Sequence, residues 1–108
     1  MTEEQRHQAK YFINFFEAIP DERWCAGLQI APDGQRCALG HLLPEDEKFD
    51  EDHGSNEKNE AVSRLFGGGY LTGGGYKVAA INDGRNRRYQ QPTPKARILA
   101  ALHDLIRQ

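Results

Sequence analysis

Apolar residues recur at three- and four-residue steps early in the chain, at Ala9, Phe12, Ile13, Phe16 and Ile19, with Tyr11 and Phe15 widening the stripe. That period belongs to an amphipathic helix with one face on a core. Thr2 and Gln5 stand at the spacing of a capping box, and Pro20 sets the far end. A second stripe runs through Ile98, Leu99, Leu102, Leu105 and Ile106. Its start is marked by Thr93 as N-cap and Pro94 at the first helical position.

Between these helices the pattern is shorter-ranged. Leu28-Gln29-Ile30 alternates and meets Pro32-Asp33-Gly34, the residue order of a tight turn, which predicts a small hairpin returning through Arg36 and Cys37. Ala38 to Leu43 reads equally as strand or short helix before Pro44 stops it. Residues 44–56 form an acidic loop in which Ser55 is placed to cap a short helix holding Ala61, Val62, Leu65 and Phe66, with Gly67 ending it. The doubled Gly-Gly-Gly-Tyr of residues 67–76 reads as a flexible glycine-rich loop. Lys77 to Ile81 reads as a buried strand closed by the turn Asn82-Asp83-Gly84, and a basic polar loop follows to Gln91. The expected fold is a single α+β domain over residues 1–108. It has two long terminal amphipathic helices and one or two short ones packed on a minimal sheet that contains the hairpin.

Composition changes this picture only locally. The 108 residues carry a net charge of −2, which gives no global pull toward nucleic acid. The distribution is uneven, with eight acids against two lysines in residues 44–60 and six bases against one aspartate in residues 85–108. No apolar h-region and no membrane-length apolar run is present, so the expected location is cytoplasmic. The two cysteines do not make a disulfide framework and are read as reduced.

Three constellations carry candidate chemistry. Cys25, Cys37 and His41, with Asn82 or Asp83, supply the residue types of a thiol nucleophile, its base and an orienting group. The competing reading of the thiols is as small buried hydrophobes. The same thiols and His41, with His53, offer four zinc ligands but no paired-cysteine knuckle, so no metal and no cofactor is expected. The glycine-rich segment lacks the GxxxxGK[ST] order, and the strand expected after it leaves no helix to present a phosphate. The loop of Asn82, Asp83, Arg85, Arg87, Arg88 and Tyr89 combines guanidinium forks, amides and a ring. Those groups suit phosphate, carboxylate or a stacked base.

The blocks WCAG, GQRCALGHL, INDG and YQQPTPKARILAAL, in that order, resemble a family of small bacterial and phage proteins catalogued as a domain of unknown function. The resemblance covers about residues 12 to 106 and implies no activity. Many family members carry a small residue where His41 stands, which weakens a Cys–His pair. A phage setting implies action in the host cytoplasm, with interference in a defence system as one role.

The functional expectation is a non-enzymatic binding module that engages a protein partner or an anionic, nucleotide-like ligand through Asn82 to Gln91 and the mobile glycine segment. Nucleic acid ranks behind these, and no membrane is expected. One alternative is a cysteine-dependent hydrolase or transferase using Cys37 or Cys25 with His41 and Asp83. Another is a self-associating protein, a homodimer held by acidic 45–52 against basic 85–88.

Overall fold

The computed structural model describes residues 1–48 and 56–108. Among the described residues five α-helices run in order: α1 (Glu3–Glu17), α2 (Ala38–His41), α3 (Glu57–Leu65), α4 (Gly74–Asn82) and α5 (Pro94–Arg107). A 3₁₀ turn, Asp21–Arg23, precedes Trp24. No helix among the described residues is long and apolar enough to cross a membrane.

The terminal helices form where their stripes place them. The Thr2 hydroxyl accepts from the Gln5 N–H at 3.1 Å and the Gln5 side chain accepts from the Thr2 N–H at 2.9 Å, completing the capping box. Thr93 caps α5 by accepting from the Ala96 N–H at 3.2 Å. The two helices lie antiparallel. Arg6 donates to the Ile106 and Gln108 carbonyls at one end of the pair, and Lys95 donates to the Glu17 carbonyl at the other. Ala9, Phe12 and Phe16 from α1 join Ile98, Ala101 and Leu102 from α5 in one core with Val62, Val78 and Ile81. A ring series extends that core, with Phe16 edge-on to Trp24 at 5.4 Å and Trp24 against His41 at 4.7 Å.

The α+β expectation is overturned, because the described residues contain no sheet. Half of the predicted hairpin survives. The turn closes through Gly34 N–H to Ala31 O at 2.9 Å, with Gly34 at φ 91°, and Ala31 N–H reaches Gln35 O at 2.8 Å. The arms pair once more, Cys37 N–H to Gln29 O at 3.1 Å, and then α2 begins. On its other edge Arg36 pairs with the residues after α1, its N–H donating to Arg23 O and its carbonyl accepting from Cys25 N–H, so that two isolated bridges meet at Arg36. The undecided 38–43 segment begins as α2.

The predicted strand at Lys77 to Ile81 is also corrected: it lies inside α4. Five residues are too few for periodicity to separate strand from helix. Val78 and Ile81 are three apart and both buried, and the two alanines between them favour helix. Consequently the glycine-rich loop ends at Gly73, and residues 74–76 are the first turn of α4. α3 is capped by Asn56, whose Oδ1 accepts from the Asn59 N–H at 2.9 Å. Ser55, expected to cap it, and most of the acidic loop lie outside the described residues.

Candidate functional site

The C-terminal end of α4 positions the basic turn. Asn82 is fully buried and ties three segments together: its Oδ1 accepts from Ala38 N–H at 3.0 Å, and its Nδ2 donates to Cys25 O at 2.9 Å and to Asp83 Oδ1 at 3.0 Å. Asp83 caps the helix and accepts from the Gly27 N–H at 2.9 Å. Gly84, at φ 78°, reverses the chain. Arg97 reaches up from α5 to the carbonyls of Ile81, Asn82 and Gln91, satisfying the end of α4 from the opposite side. Tyr89 is buried and donates its hydroxyl to Asp104 Oδ2 at 3.0 Å; burial first, and that bond second, push its ionisation above the ordinary range.

Six residues singled out in the sequence therefore divide. Asn82 and Tyr89 are spent inside the fold and Asp83 is half-buried, whereas Arg85, Arg87 and Arg88 are exposed. Arg85 lies 3.5 Å from Asp83 and Arg88 lies 3.4 Å from Asp104, each guanidinium with 67% of its side chain accessible. At that exposure such pairs hold the arginines loosely. Arg87 makes no hydrogen bond or ion pair among the described residues.

The thiols and His41 are placed apart in function. Cys37 is buried as the N-cap of α2, with Sγ accepting from Gly40 N–H at 3.5 Å, and burial pushes its thiol up to about 11. Cys25 is half-buried and donates to Leu28 O at 3.4 Å; burial, then Asp33 and Asp83, raise its pKa as well. Neither is held as a thiolate. Cys37 lines a cleft on the α4 side, while His41 lines clefts on the far side beside Phe15 and Glu45. Among the described residues no three His, Cys, Asp or Glu side chains are placed to hold a metal ion, and His53 lies outside them.

His41 is a structural ring with a measurable consequence. Burial, then the Arg23 and Arg36 charges, lower its pKa from the ordinary 6.5 to about 4. The unfolded chain takes up this proton near 6.5 and the folded chain only near 4. The neutral ring's contribution to stability is therefore complete above 6.5, is lost as pH falls toward 4, and falls no further below that. Urea midpoints at about pH 7 and about pH 5 should differ more in the native chain than in His41→Phe. An equal difference in both would assign the acid sensitivity elsewhere.

The sequence did not disclose the cleft lined by Cys37. It holds about 300 Å³ between the Gly27–Gln29 segment, the Tyr70-Leu71 turn and the start of α4. The repeated tyrosine in the two Gly-Gly-Gly-Tyr blocks was its one available signal. Tyr70 receives a 2.5 Å hydrogen bond from Gln29 Nε2, while Tyr76 stays 68% exposed.

With this geometry in hand, comparison with known proteins is silent: no protein family, no curated protein and no solved structure matches the chain.

Proposed function

We propose that the chain is a non-enzymatic binding module whose basic turn, Arg85 to Arg88, engages an anionic ligand or the acidic surface of a partner protein. The observation that carries this reading is the contrast within one turn. Asn82, Tyr89 and Arg97 fix its backbone from inside, and three guanidinium groups are left at the surface, Arg87 without a partner among the described residues. A fixed backbone lowers the ordering cost of binding, and guanidinium forks match carboxylate and phosphate oxygens.

The test is a calorimetric titration of the native chain and of the triple variant Arg85→Ala, Arg87→Ala, Arg88→Ala with ADP and with polyglutamate at low salt. One probe should bind the native chain, weaken on adding salt, and lose at least about tenfold in the variant at an unchanged thermal midpoint. If neither probe binds, or the variant binds as tightly, the reading fails.

A further inference from the structure

Among the described residues five large apolar side chains are exposed: Met1, Tyr11, Leu28, Leu71 and Tyr76. Met1 is the first residue of the chain, and Tyr11 has the Lys58 ammonium 5.9 Å from its ring centre. The other three converge. Leu28 (47% exposed), Leu71 (72%) and Tyr76 (68%) all border the 300 Å³ cleft beside α4. Its floor is apolar, built from Leu39, Ala79 and Gly75 with the Cys37 thiol.

This cleft is held open by features independent of any occupant. Asp83 Oδ1 fixes the Gly27 N–H, and Gln29 holds the Tyr70 hydroxyl, so both loop walls are tied to a neighbour. Gly75 is required beneath Tyr70, because a Cβ there would lie 2.1 Å from the Tyr70 carbonyl oxygen. Such a rigid apolar recess, rimmed by Leu and Tyr, has the make-up of an interface anchor pocket. Leu71 and Tyr76 project too far into water for a small enclosed molecule to cover them, whereas a chain lying across the recess would.

The end of the cleft settles the chemistry of that chain. Asp83 lines it and is paired with Arg85, so the recess runs directly into the basic turn, and Lys77 is exposed one residue past Tyr76. The carboxylate of Asp83 is already committed to the Gly27 N–H, Asn82 and Arg85, which leaves the unmatched charge positive. We propose that this cleft is a peptide-docking site that seats one bulky apolar side chain of a partner protein, with acidic residues flanking that anchor placed on Arg85 and Arg87. The proposal rests on the basic-turn reading above and supplies the partner's chemistry.

The experiment pans displayed random short peptides against the folded full chain, then titrates the enriched peptides, fluorescently labelled, by anisotropy. Enriched peptides should carry a Trp, Phe, Leu or Met among Asp and Glu residues. Changing the apolar residue to Ala, or the acids to Lys, should weaken binding at least about tenfold. The double variant Leu71→Ser, Tyr76→Ser should lose as much while keeping its thermal midpoint, since both side chains are exposed.

No enrichment, enrichment without acids, or equal binding to the double variant would overturn the proposal. If the triple arginine variant loses binding and the cleft variant does not, the cleft fails and the basic turn stands. If the cleft variant loses binding and the arginine variant does not, the acidic partner and the basic-turn reading both fail. Sedimentation of the native chain alone supplies the last outcome: a dimer abolished by Leu71→Ser, Tyr76→Ser would make the occupant a second copy and overturn the partner peptide.

Discussion

Arg36→Ala is expected to lower the unfolding free energy by at least about 3 kcal/mol, read from the denaturant midpoint at unchanged slope. Arg36 is buried, and its guanidinium donates to five backbone carbonyls. Nη1 reaches Gly40 (3.0 Å), Leu43 (3.3 Å) and Pro44 (3.0 Å), and Nη2 reaches Glu45 (3.0 Å) and Glu47 (2.9 Å). Gly40 O and Pro44 O also accept from the Leu43 and Glu47 N–H groups, whereas Leu43 O and Glu45 O, past the end of α2, take their hydrogen bonds from the guanidinium. Removing the fork strands the Leu43 and Glu45 acceptors at once, each costing about 1–3 kcal/mol where water cannot replace it, and takes a second donor from Gly40 and Pro44. Since a domain of this size has only about 5–15 kcal/mol in all, the loss is a large fraction. Arg36→Lys should recover little, because a single ammonium cannot span the same fan of oxygens. A change below about 1 kcal/mol would mean that the carbonyls rehydrate freely and that the arginine is not the fastener of this segment.

Gly74→Ala should be the second large effect, at about 2–3 kcal/mol or more of lost stability. Inside a helix alanine is ordinarily better than glycine by up to about 1 kcal/mol, so the sign itself is informative. Here the backbones of two helices meet. A Cβ on Gly74 would fall 2.0 Å from Ser63 O and 2.2 Å from Gly68 O, and neither is a side-chain tip that can swing aside. Relief requires α4 to move off α3. Lys77→Ala, at an exposed position on the same helix, should stay within about 0.5 kcal/mol and serves as the control. A Gly74→Ala chain as stable as the native one would deny the close approach.

These two residues also mark where the sequence was legible and where it was not. α1 and α5 could be read because stripe, cap and stop all agree locally, at Thr2, Gln5 and Pro20 in one case and at Thr93 and Pro94 in the other. The turn at Ala31 to Gly34 was legible for the same reason. The length of the hairpin was not, because its arms pair at a single bridge, Ile30 with Arg36, before Cys37 caps α2, and Ala38 to Leu43 carries no local signal that decides strand from helix. α4 was misread because its glycines look like punctuation: Gly74 and Gly75 are there for the space they leave to Ser63, Gly68 and Tyr70, not for flexibility.

Within the candidate site, residue type picked out the basic turn but not the division of labour. Asn82 and Arg97 bond to partners distant in the chain, and nothing in their spacing separates them from exposed Arg87. The apolar cleft was illegible because Leu28 lies far along the chain from Leu71 and Tyr76.

The acidic run is anchored at both of its stems on the same short helix end. Arg36 grips the outgoing chain at Leu43 to Glu47, and on the return Asn56 Nδ2 donates to the Leu42 carbonyl at 2.7 Å. With both stems clasped at one point, each doubling of the length of chain between them costs only about 0.6 kcal/mol. The protein thus carries a natural cassette, one where an epitope or a reporter could be spliced in with α1 and α5 still zipped together.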